Sequence, residues 1–152
     1  MASTQRGSKG LAEAIGFSLS AVLLTTLVGV ATAVAQNTCY GTGTCSHITA
    51  GNDNSAFGFD TLIDDTTGSS NSAFGFETLY HNTIGFNNSA FGSNTLNNNT
   101  TGNGNTAIGY GVLINNTTGS YNTASGDNAL LGNTTGSYNT ANGSIALETN
   151  TT

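Results

Sequence analysis

The chain has 152 residues, of which only 7% are charged, and its formal net charge is −6. Globular domains usually carry about a quarter charged residues, so this chain is either unstructured or held together by regular spacing rather than by a large mixed core. With two Lys or Arg against eight Asp or Glu, it has no basic surface to displace counterions from nucleic acid or to bind anionic lipid.

The segment 1–35 differs from the rest. Arg6 and Lys9 form a basic start, and an apolar run follows from Leu11 to Ala35, broken by Glu13. It closes on Ala33-Val34-Ala35, the small-x-small pattern that signal peptidases cut. The layout predicts a signal helix removed before Gln36, although the run is also long enough to serve as an uncleaved anchor. Cleavage would remove both cations and Glu13, leaving seven carboxylates, no Lys or Arg and no intrinsic membrane anchor.

From Asn37 onward one pattern returns every 17 residues. Asn54-Ser55-Ala56-Phe57-Gly58 becomes Asn71-Ser72-Ala73-Phe74-Gly75 one copy later and Asn139-Thr140-Ala141-Asn142-Gly143 in the last. Seven copies fill 37–152, and the seventh stops at its fourteenth position, as a fragment of a longer protein or a free secreted head would.

Aligned in columns, the copies share Asn at position 1, Gly at 5 and Thr at 13, with Ala or Cys39 at 3 and Leu or Cys45 at 9. Two or three glycines per copy and no 3.6-residue periodicity exclude helix. Short extended segments between Gly and Asn turns fit instead. The expected fold is all-β: 36–152 forms a β-solenoid, or parallel β-roll, of 17-residue coils after the signal helix. Each coil is expected to hold two short strands, with turns at Gly58-Phe59-Asp60 and at Asn116-Thr117-Thr118-Gly119 and their equivalents. Coils stacked about 4.8 Å apart would bury continuous Ala and Leu columns, and the Asn column would form a side-chain amide ladder.

The two cysteines constrain the path. In an extended strand Cys39 and Cys45 would lie about 20 Å apart, whereas a disulfide needs Cα atoms within about 7 Å. Export permits the bond, so the chain is expected to reverse at Gly41-Thr42-Gly43-Thr44 and to close a Cys39–Cys45 disulfide over the first coil.

Asn105-Thr106-Ala107-Ile108-Gly109-Tyr110-Gly111 closely resembles the Asn-Ser-x-Ala-Ile-Gly-x-Gly head repeat of trimeric autotransporter adhesins of the YadA-like type. Across 37–152 the other copies keep Asn-Ser/Thr-Ala-x-Gly, except Cys39 in the first. The resemblance implies a left-handed parallel β-roll, a homo-trimer, adhesion, and display on a Gram-negative outer membrane if the chain is part of a longer autotransporter. It departs from the family in its longer repeat. Similar repeats also occur in phage fibre-like proteins.

No catalytic, cofactor or metal constellation is found. His47 and His81 share column 11 with Asp64, Asn98, Asn115 and Gly132, the signature of a surface turn rather than of converging zinc ligands. Asp64-Asp65 reads as a solvated turn without a calcium motif. Asn133-Thr134-Thr135 would be a glycosylation acceptor only in a glycosylating host. No base is placed to activate a Ser or Thr. Aromatics supply the one asymmetric feature: Tyr40, Phe57, Phe74, Phe91 and Ile108 fill column 4, then yield to Ser125 and Asn142. They are expected to pack against neighbouring subunits or to form a binding stripe for a surface ligand, protein or glycan. A secreted or surface-displayed adhesive module follows. Ice binding through the Thr column is the alternative.

Overall fold

The computed structural model describes residues 36–152, and the signal segment expected at 1–35 lies outside them. Seven strands stack in chain order into one parallel sheet. They are β1 (Thr38–Tyr40), β2 (Ser55–Phe59), β3 (Ser72–Phe76), β4 (Ser89–Phe91), β5 (Thr106–Ile108), β6 (Thr123–Ser125) and β7 (Thr140–Asn142). Every pairing is in the 17-residue register: Ala56 lies beside Ala73, and Phe57 beside Phe74. The described part is thus an all-β solenoid with one repeat per coil and no helix.

Only one strand forms per coil. The expected second strand is absent because the Leu column is left-handed. Leu62, Leu79, Leu96, Leu113, Leu130 and Leu147 all have φ between 50 and 53°, which breaks an extended run. A non-glycine residue pays about 1–2 kcal/mol to sit there. Here the conformation turns each Leu inward while its N–H donates to the next coil, as Leu96 does to the Val112 carbonyl at 3.0 Å. The reversal accordingly spans columns 7 to 9, two residues beyond the place read from the sequence. A further bend falls at column 17, where Ser70, Asn87 and Tyr121 also have positive φ.

Gly at column 5 is obligatory for packing as well as for conformation. Gly75 has φ +146°, and a Cβ there would lie 2.1 Å from the Gly92 carbonyl oxygen. No larger residue lets successive coils approach this closely.

The interior is thicker than an Ala column facing a Leu column. Those two are fully buried in the middle coils and form one cluster, but polar columns complete the cross-section. In column 1, Asn71 Oδ1 accepts the Asn88 N–H at 3.0 Å, and Asn71 Nδ2 donates to the Gly85 carbonyl at 2.8 Å. The same pair of bonds recurs in the next copies. The Asn column is therefore a structural ladder. Column 8 adds a second device: Thr61, Thr78 and Thr95 donate their hydroxyls to the column-5 glycine carbonyl of the following coil. A third ladder, unforeseen from sequence, occupies column 12, where Asn99 Nδ2 donates to Asn82 Oδ1 at 2.8 Å and to the Gly102 carbonyl at 3.0 Å.

Candidate interaction surface

Alternation along the strands decides which side chains face out. In β2 the Ala56 side chain is buried, while Phe57 and Phe59, one and three residues further on, are exposed, as period-two geometry requires. Columns 4 and 6 therefore share the outer face of the sheet. Tyr40, Phe57, Phe91 and Ile108 are exposed there and Phe74 is half-buried. They form a ladder along the solenoid.

The rings of this ladder lie against one another. Phe57 and Phe74 have centroids 4.9 Å apart with planes 7° from parallel, and Phe74 and Phe91 repeat this at 5.1 Å and 8°. Phe59 and Phe76 form a second stack in column 6, at 5.5 Å and 7°. The coil spacing is close to the ring-stacking distance, so Phe57, Phe74 and Phe91 cover one another's faces, whereas Tyr40 is tilted 35° from Phe57 at 6.4 Å.

Cys39 and Cys45 form the expected disulfide, with Cα atoms 6.2 Å apart. It joins the Ala and Leu columns of the first coil, the coil whose outer side has no neighbour among the described residues.

Column 11 brings His47, Asp64 and His81 into contact. His47 Nδ1 lies 3.1 Å from Asp64 Oδ1, and His81 Nδ1 lies 2.8 Å from Asp64 Oδ2. The three stack because each is 17 residues from the next. Burial raises the Asp64 carboxyl, but the hydrogen bonds and charges of His81 and His47 hold it below its ordinary value. Both imidazoles are open to water, as expected for a surface turn. Among the described residues no group of three or more His, Cys, Asp or Glu is placed to hold a metal ion.

Asp65 is not part of a solvated turn. It is fully buried, because it occupies column 12, the position of the inner amide ladder. Its Oδ1 accepts from the Gly68 N–H at 2.9 Å and from Asn82 Nδ2 at 3.3 Å, and its Oδ2 accepts from Asn54 Nδ2 at 3.1 Å. Burial pushes the carboxyl up to about 7, against the lowering pull of the Gly68 N–H and Asn82. The glycosylation acceptor Asn133 belongs to the same ladder. It is buried, with its amide nitrogen committed to Asn116 Oδ1 and the Gly136 carbonyl, so the folded chain does not present it. Aligning column 12 shows Asn from the third copy onward, the signal that could have revealed this ladder.

Comparison of the chain with protein-family models, curated proteins and solved structures gives no match.

Proposed function

We propose that the chain is an exported structural module that mediates adhesion, secreted or displayed at the cell surface, and that it works as a homo-oligomer, most simply a homo-trimer. The observation that carries this reading is the outward apolar ladder of Tyr40, Phe57, Phe74, Phe91 and Ile108, largely exposed, on a solenoid whose coils are tied at every step. Contiguous exposed apolar surface marks a contact site. The signal-like segment 1–35 supports export, and the head-repeat motif supports adhesion and three chains. If the chain is part of a longer autotransporter, the place of display is a Gram-negative outer membrane.

The reading includes no catalysis and no cofactor. What supports this is that the outer ionisable cluster, His47–Asp64–His81, is solvent-open, and that Asp65 serves a ladder. The Thr columns give ice binding less support. The column-13 hydroxyls of Thr66, Thr83 and Thr100 all donate to the backbone of the next coil, and Ile84 interrupts the Thr residues of column 14. Cells that make the chain should adhere several-fold better than cells lacking it to at least one of three surfaces: matrix protein, glycan or plastic. Equal counts on all three would overturn the adhesive reading, and measured thermal hysteresis would favour the ice-binding one.

A further inference from the structure

We propose that the first three coils carry a proton-operated clasp: mild acidification tightens them against one another and leaves the middle coils unchanged. The device is built on two successive residues of the second coil. Asp64 lies on the outer turn in column 11, and Asp65 is fully buried in column 12. The Asp64 carboxylate bridges the coil before it and the coil after it, through His47 Nδ1 on Oδ1 and His81 Nδ1 on Oδ2. The chain has two His, and both are committed to this one carboxylate. Asp65 binds inward from the same stretch of backbone. It accepts from Asn54 and Gly68 within its own coil and from Asn82 of the third. Three coils are therefore held together at neighbouring residues, outside and inside, and each hold ends on a group that titrates.

The surroundings of each group fix the sign of its response. Ile48 precedes Asp65 in its column and Asn82 follows it, and Asn54 lies across from it, so no cation meets its charge. Burial pushes the carboxyl up to about 7, against the lowering pull of Gly68 and Asn82. It favours the closed coils fully below pH 3.8 and no longer above 7. Burial raises Asp64 too, but the hydrogen bonds and charges of His81 and His47 outweigh it and hold the carboxyl below 3.8. Its contribution is present above 3.8 and is lost as pH falls through that lower value. Imidazoles ordinarily gain a proton at about pH 6.5, which sets a cation on each side of the Asp64 carboxylate. The Tyr80 ring stands edge-on to His81 at 4.6 Å, while Asp53, Asp60 and Glu77, in columns 17 and 7, take part in neither contact. Falling pH thus tightens both halves of the clasp until Asp64 itself takes up a proton. Between pH 8 and 5 the shift at Asp65 favours closure by up to about a hundredfold, and the exposed ion pairs add only about a few-fold. The middle coils lack the means to respond, since 82–126 holds no Asp, Glu, His, Lys or Arg.

Hydrogen exchange of the full chain, read as protection factors so that the pH dependence of intrinsic exchange cancels, tests this. The reporters are the amides of His47, Asp64 and Gly68, which donate to the Ile63 and Tyr80 carbonyls and to Asp65 Oδ1. Leu96 and Thr106, bonded to the Val112 and Asn122 carbonyls, are the references. Protection of the reporters should rise at least tenfold from pH 8 to 5, while the references change less than threefold. A flat profile at the reporters, or an equal rise at the references, would overturn the proposal. Asp65→Asn keeps the ladder without the proton and should cut the rise to a few-fold; an undiminished rise would remove Asp65 from the device. Adding His47→Gln and His81→Gln, which keep a donor on Asp64 but no charge, should flatten what remains. A few-fold rise that survives all three substitutions would overturn the outer half of the clasp.

Discussion

At Asp65 the inner amide ladder ends on a carboxylate, and the direction of the ladder explains why. Each Asn of column 12 donates its Nδ2 to the side-chain oxygen of the preceding coil, from Asn150 to Asn133 and onward to Asn82. The last donor, Asn82, points at Asp65, and one coil earlier stands Ile48, which accepts nothing. The terminal residue needs only to accept, which a carboxyl does. Its cost appears as pH dependence. The folded value near 7 lies above the ordinary 3.8, so between those values the native chain holds more protons than the unfolded one, and stability falls as pH rises. The contribution is complete below pH 3.8 and gone above 7. From pH 5 to 8 the wild type should lose on the order of 2–3 kcal/mol more than Asp65→Asn in urea titrations. Parallel pH profiles for the two would show that Asp65 does not titrate in this way. Within the ladder, Asn99→Ala strips the acceptor from Asn116 and should cost about 2–3 kcal/mol. Asn98→Asp, on the outer turn, should stay within about 0.5 kcal/mol. Comparable losses for these two in the same titrations would mean that inside and outside are wrongly assigned.

Each coil as an element depends on a leucine that is buried and left-handed at once. That combination separates size from shape. Leu96→Met keeps the volume and the unbranched Cβ, and should cost less than about 1.5 kcal/mol. Leu96→Val removes only one carbon, but its branched Cβ is a poor fit at φ 51°. It should cost more than the roughly 0.5–1.5 kcal/mol of an ordinary one-carbon truncation. Circular dichroism melts of the two variants decide this, and a Val variant as stable as the Met variant would mean that the coil can relax its turn. The repeat period, the buried Ala and Leu columns, the outer aromatics and the Cys39–Cys45 closure were all legible in the sequence, because each follows from spacing and polarity. The single strand per coil was not, since nothing in a leucine announces positive φ. Asp65 and the second Asn ladder were hidden by the appearance of Asn-Thr-Thr-Gly and Asp-Asp as solvated turns. The Asp64 link between His47 and His81 needed the side-chain positions, since their shared column gave only that the three stack.

Stability of the whole solenoid is a sum over coils and the contacts between neighbours, so it should be lowest where a neighbour is missing. The two ends are unequal in this respect. In the last coil Leu147 is 49% exposed, whereas Leu96 and Leu113 are fully buried. Asn139 Nδ2 is the one buried side-chain polar atom among the described residues without a partner. Among the described residues the first coil also lacks an outer neighbour, but its disulfide closes the loop between the Ala and Leu columns. In the chain-entropy model that closure contributes about 2 kcal/mol. In the segment 36–152 taken by itself, native-state hydrogen exchange should therefore be fastest at the backbone amides of 139–152, slower in 37–53, and slowest in the coils from 71 to 121. Reduction should accelerate exchange in 37–53 toward the rate of the last coil while leaving 71–121 unchanged, because coil-to-coil contacts reach only the nearest neighbour. Acceleration throughout the chain on reduction would show instead that the solenoid opens as one cooperative unit, with the disulfide acting on all of it.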